Sequence, residues 1–162
     1  MITKIVSPCA WRGKAYFPAL GRFPSGIYAD IEPVYVAELE LDSLISAAEK
    51  IIALGIYQLP EVTAEEWRKR SSPLLKATKA RSWKELARTG ASYGISWTEQ
   101  DIRVDMSYRD KQGRWQNDPA KVRIFPLDTP LKDVMTVILA DIQTRPEVWE
   151  AATSGESNLW QG

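Results

Sequence analysis

The stretch Ser92-Tyr93-Gly94-Ile95-Ser96-Trp97-Thr98-Glu99-Gln100-Asp101-Ile102-Arg103-Val104-Asp105-Met106 decides the fold class. Tyr93, Ile95 and Trp97 alternate with Ser92, Gly94 and Ser96, and Ile102, Val104 and Met106 alternate with Asp101, Arg103 and Asp105. A period of two sends successive side chains to opposite faces of a strand. A turn at Glu99-Gln100 sets Trp97 opposite Ile102, Ile95 opposite Val104 and Tyr93 opposite Met106. Both apolar sets then share one face, as a half-buried antiparallel hairpin requires. Glu-Gln is a poor two-residue turn, so a slightly longer loop with the same register is expected.

Downstream, Asp110-Lys111-Gln112-Gly113 signals a second turn, and Asn117-Asp118-Pro119 breaks the chain. Lys121 to Phe125 is expected as a third strand of the meander. Thr129-Pro130 opens a helix on which Leu131, Val134, Met135, Ile138 and Ile142 form one stripe. That stripe needs a buried counterpart, so Trp97, Ile95, Val104, Leu131, Val134 and Ile138 are expected in one core. Upstream, residues 34–41 read as a strand, followed by a helix with Asp42 as N-cap and Gly55 as its stop. Thr63 with Glu66 has capping-box spacing, Ser72-Pro73 places proline at a first helical position, and Ser82 with Glu85 repeats the box before Gly90.

Residues 1–33 read as irregular, because Pro8, Pro18, Pro24 and Pro33 alternate with Gly13, Gly21 and Gly26. Their aromatics argue for an ordered arm packed on the domain rather than a disordered one. Residues 34–145 form the domain proper. Residues 146–162 read as a weakly structured tail with a turn of helix at Glu147 to Ala151. The expected class is α+β: an antiparallel meander of about three to five strands packed on about three or four helices in one domain.

With 162 residues, the chain is long enough to bury a core without a disulfide or metal staple. It contains no histidine, which removes Ser-His-Asp and Cys-His catalysis. Cys9, the single cysteine, has neither a disulfide partner nor an activating base, and reads as an inert thiol. No zinc ligand set exists, no spacing matches an EF-hand, and phosphate-binding and nucleophile-elbow motifs are missing. No catalytic residue, metal or cofactor is therefore assigned. No apolar run reaches a membrane span and the N-terminus lacks a signal core, so a cytoplasmic location without membrane contact is expected.

The net charge is zero, but the charges are segregated. Acidic residues crowd 28–66, where Lys50 is the lone base. Residues 67–88 hold Arg68, Lys69, Arg70, Lys76, Lys79, Arg81, Lys84 and Arg88 against Glu85. That block either faces an anionic partner, an acidic protein or a nucleic acid, or pairs with the acidic region of its own chain. Seven tryptophans add large amphipathic surface, with Trp67 and Trp83 beside the basic block. Trp11, Trp115 and Trp160 fall outside the expected elements and are interface candidates. Trp115 follows a loop tip carrying Arg109, Lys111 and Arg114, which is the cluster most suited to touch a partner.

Three functions fit. A non-enzymatic protein-binding module of the toxin-neutralising, immunity or inhibitor kind needs a rigid surface and no catalytic group. Its contact set is Arg68, Lys69, Arg70, Lys76, Lys79, Arg81, Arg109, Lys111, Arg114 and Trp115. The alternatives are a structural or assembly subunit, phage-related or part of a complex, and a nucleic-acid-binding protein or carboxylate-dependent enzyme. No helix-turn-helix or RNA-binding aromatic motif supports nucleic acid as the partner.

Overall fold

The structure is a computed structural model that describes residues 1–148. Its strands are β1 (Lys4–Val6), β2 (Cys9–Trp11), β3 (Lys14–Arg22), β4 (Tyr28–Glu38), β5 (Ile56–Gln58), β6 (Ala91–Trp97), β7 (Asp101–Arg109), β8 (Trp115–Asn117) and β9 (Arg123–Pro126). Its helices are α1 (Leu41–Leu54), α2 (Ala64–Lys69), α3 (Pro73–Thr78), α4 (Trp83–Thr89) and α5 (Leu131–Gln143).

The hairpin β6–β7 has the expected register, with Tyr93 opposite Met106, Ile95 opposite Val104 and Trp97 opposite Ile102. Its loop is made workable by Thr98, whose hydroxyl accepts the amides of Gln100 and Asp101 at 3.1 and 3.2 Å. A hydroxyl turn of this kind substitutes for the missing glycine. The expected third strand, Lys121 to Phe125, is formed as β9 (Arg123–Pro126), and β8 is a further strand. β8 pairs with the C-terminal half of β7 and β9 with its N-terminal half, with a 3-10 turn at Pro119–Lys121 between them.

The sheet is larger than the sequence suggests. It has nine strands in the order β4-β3-β2-β6-β7-β8, with β1 beside β6, β5 beside β3 and β9 beside β7. Most of the excess comes from residues 1–33, expected as irregular coil, which instead form β1, β2, β3 and the start of β4; β5 and β8 supply the rest. Three of the prolines fall at a break, a register shift or an edge of the sheet. Pro8 lies between β1 and β2 and accepts the Tyr93 amide. Pro18 falls at a register shift, and Pro33 lies in the edge strand β4. Arg12-Gly13, both at positive φ, make the two-residue turn that joins β2 to β3.

The sheet separates two apolar clusters. Ala10, Ala15, Phe17, Ala37, Tyr93, Ile95 and Val104 share one cluster with Leu44, Ile51, Val134, Met135 and Ile138 of α1 and α5. Trp97 and Leu131 pack at its margin, so the six residues expected in one core do meet. The alternating residues Cys9, Trp11 and Tyr16 turn to the other face, where Leu74, Ala80 and Leu86 of the α3–α4 region cover them. Each fully buried Leu, Ile or Phe contributes about 1.5–3 kcal/mol by leaving water.

The caps refine the sequence reading. Glu40, not Asp42, occupies the N-cap of α1 and makes no side-chain cap bond, while the Ser43 hydroxyl accepts the Glu38 amide. Asp42 falls in the first turn, where the helix dipole favours a carboxylate. The Thr63–Glu66 box of α2 is complete. That of α4 is half made: Ser82 accepts the Glu85 amide, but the Glu85 carboxylate turns to Arg81. No helix among the described residues is long and apolar enough to cross a membrane. Most of the expected tail, with Trp160, lies outside the described residues.

Candidate partner interface

The basic block divides between two environments. Its first part is met by carboxylates of the same chain. Arg70 donates two hydrogen bonds to Asp30, whose other oxygen accepts the Ser72 hydroxyl at 2.7 Å and the Leu74 amide at 3.0 Å. Asp30 thus ties the start of α3 to β4, and Arg70, with a quarter of its side chain exposed, belongs to the fold. Lys69 pairs with Glu65 on α2, Lys76 stands 4.0 Å from Glu32, and Arg81 pairs with Glu85. Lys79 takes a left-handed conformation to end α3, and Arg68 is exposed on α2. A groove of about 370 Å³ between Phe23, Ile27, Val62 and Trp67 lies beside Arg68. There Phe23 meets Trp67 edge-on at 5.6 Å, and the Arg70 guanidinium lies 5.3 Å from the Trp67 ring.

The second part converges with the loop after β7. Asp110 closes that loop by accepting the amides of Gln112 and Arg114, both at 2.9 Å, while Gly113 takes the positive φ that the turn requires. The backbone bond from Arg114, with the Gln116 side-chain bond, holds the Asp110 carboxyl below the usual carboxylate range. This turn carries Lys111 and Arg114 outward and returns Trp115 onto α4, where its indole N–H donates to Gly90 O at 3.4 Å. The Arg109 guanidinium reaches the Arg88 carbonyl at 3.4 Å, and Lys84 lies against Gly113.

The product is a face bearing Trp83, 46% exposed, and half-buried Trp115, with Lys84, Arg88, Arg109, Lys111 and Arg114 around them. A cleft of about 370 Å³ runs between the two tryptophans, and a smaller one of about 290 Å³ lies on the far side of Trp115. Among the described residues, Lys84, Arg88, Arg109 and Lys111 have no carboxylate at ion-pair distance. Arg114 pairs with Asp110 at 3.5 Å.

Behind this face lies a charged network on α5. Asp141 accepts from Tyr93 at 2.7 Å, Lys121 at 2.8 Å and Arg145 at 2.8 Å. Burial by itself would raise the Asp141 carboxyl, but the bonds from Lys121 and Tyr93 and the Arg145 charge outweigh it and hold it low. Burial, and then the bond to Asp141, push the Tyr93 phenol up. Cys9 is buried, which pushes its thiol up and keeps it protonated. No group of three or more Asp, Glu, Cys or His among the described residues is placed to hold a metal ion.

Several solved structures share this fold, two of them at low identity. One is a protein of unknown function from Neisseria meningitidis, at 15% identity and TM-score 0.61, covering 85% of this chain and 92% of that one. The other is a chain of the CdiA-CT/CdiI toxin and immunity complex from Yersinia pseudotuberculosis, at 10% identity and TM-score 0.54, covering 92% and 99%. At such identities the likeness is one of fold. No protein family matches the sequence, and no curated protein does.

The residues singled out from the sequence therefore fall into three groups. Arg109, Lys111, Arg114 and Trp115 gather on one face, joined there by Lys84 and Arg88, which the basic block contained but the contact set omitted. Arg68, Lys69, Lys76, Lys79 and Arg81 are exposed on or beside α2, α3 and α4 without joining that cluster. Arg70 is held by Asp30. Trp11 is buried rather than exposed, and its indole donates to Thr89 at 3.1 Å. Arg145, beside the same face, escaped sequence reading because nothing near it in the chain marks it as special.

Proposed function

We propose that this chain is a non-enzymatic binding protein of the toxin-neutralising, immunity kind. It acts in the cytoplasm by covering an acidic surface of a partner protein with the face of α4 and the β7–β8 turn. The observation that carries this reading is the pair Trp83 and Trp115 set beside Lys84, Arg88, Arg109 and Lys111, which among the described residues have no carboxylate at ion-pair distance. Tryptophan and arginine dominate the energetics of protein interfaces, because each buries a wide area and keeps a polar handle. Surplus positive charge on one face speeds encounter with an acidic partner and discriminates against basic ones. The fold shared with a chain of a toxin and immunity complex supports a protein as the partner.

The test is growth. The C-terminal domain of the polypeptide encoded immediately upstream is expressed in bacteria with and without this protein. Arrest of growth that this chain relieves, together with a complex of the two polypeptides that weakens with Trp115→Ala, is the expected result. Absence of both relief and complex overturns the proposal, as does retention of RNA or DNA, with a steep salt slope, in place of a protein.

A further inference from the structure

The smaller cleft beside Trp115 has a composition of its own. The end of α4 gives it Arg88, the end of β7 gives Arg109, the segment after α5 gives Arg145 and Glu147, and Trp115 forms one wall. Three guanidinium groups thus face a space of about 290 Å³ with one carboxylate among them.

Arg145 is held in place. Its side chain is 13% exposed, its Nε donates to Asp141, and its Nη2 donates to the Ser107 carbonyl. Asp141 does not neutralise it, because Lys121 claims the other carboxylate oxygen at 2.8 Å. One carboxylate serving two cations leaves the network positive, and Arg88 and Arg109 add to that surplus. A fixed, partly buried arginine loses little side-chain entropy when it binds, and a planar guanidinium matches the geometry of a carboxylate or phosphate.

We infer that this cleft is an oxyanion-binding pocket, and that its occupant is an aspartate or glutamate side chain of the partner protein, lying against the Trp115 ring. The inference rests on the interface reading above, because Trp115 is shared by the pocket and the wider face. The pocket admits one acidic side chain and gives it charge-assisted hydrogen bonds, while the tryptophan shields them from water.

The pocket is tested by 15N-labelled NMR at low salt, following the Trp115 indole and the amides of Arg88 and Gly90. The probes are the peptide acetyl-Gly-Glu-Glu-Gly-amide, its Gln-Gln counterpart, and inorganic phosphate. Saturable shifts with the Glu peptide and none with the Gln peptide are expected. Arg88→Gln and Arg109→Gln, both exposed in the free protein, should each weaken the Glu peptide about tenfold, the effect of losing one charge-assisted bond. Arg68→Gln on α2 should change nothing. No saturation, equal shifts with the Gln peptide, or indifference to Arg88→Gln and Arg109→Gln overturns the pocket. Phosphate binding more tightly than the Glu peptide overturns the assignment of its occupant. Growth relief that persists while the NMR result fails removes the pocket alone, whereas peptide binding without growth relief removes the immunity reading alone.

Discussion

Asp141 shows how much a single residue is asked to hold. Its carboxylate joins α5 to β6 through Tyr93, to the 3-10 turn through Lys121, and to the segment after α5 through Arg145. Its side chain is 9% exposed, so removing its charge leaves two cations without their shared partner. Asp141→Asn should lower unfolding stability at pH 7 by about 3 kcal/mol, read by urea denaturation. The pH dependence has a definite sign. A carboxyl held below its unfolded value stabilises the fold above that value and loses the effect as pH falls through the folded one. Wild-type stability should therefore drop below about pH 4, and the asparagine variant should show a flatter acid limb. An acid limb of equal steepness in both proteins would remove Asp141 as a source of that drop. The contrast between Trp11 and Trp115 belongs to the same scale. Both indoles donate hydrogen bonds near the end of α4, yet Trp11 is buried beneath the helix and Trp115 is half exposed at its edge.

Among the elements, α5 and the hairpin β6–β7 were legible from periodicity. Ile138 lies at the centre of the α5 stripe and is 1% exposed. Ile138→Ala should cost about 2–5 kcal/mol in the same denaturation assay. A loss under about 0.5 kcal/mol would mean that the stripe does not carry the core. The elements β1, β2 and β3 were not legible. Short strands broken by proline and glycine look like coil until their partners are known. β2 pairs with β6 across some eighty positions of sequence, Cys9 facing Ser92 and Ala10 facing Ala91. Local pattern carries no trace of such a pairing, and Arg12-Gly13 is not one of the Asn-Gly or Asp-Gly pairs that mark a two-residue hairpin turn. The caps were legible where one side chain serves one helix, as at Thr63 and Ser72. They were not legible at the start of α1, where the N-cap Glu40 makes no side-chain cap bond.

At the scale of the whole molecule, charge segregation is the governing feature. Reversing Arg68, Lys69 and Arg70 together would mix a surface change with loss of the Arg70–Asp30 tie that anchors α3. Lys84→Glu with Lys111→Glu alters exposed charge alone. This pair should leave folding stability within about 0.5 kcal/mol of the wild type. It should slow association with the partner about tenfold in dilute buffer, read by stopped-flow or surface binding kinetics. The gap should close as salt rises to about 1 M, where the screening length falls to about 3 Å. A gap that does not change with salt would exclude electrostatic steering as the cause.

The amino-acid order alone carried the absence of histidine chemistry, the hairpin with its register, the α5 stripe and the existence of a basic block. Each of these depends on residue type or on spacing within one element, so each can be read locally. Folding set which basic residues are consumed by the fold and which gather on one face. Asp30 takes Arg70 from forty residues away, while Arg88, Arg109 and Arg145 come from three separate parts of the chain to line one cleft. Such meetings are fixed by how the sheet and helices jointly exclude water, and a linear pattern of charges holds no record of that packing.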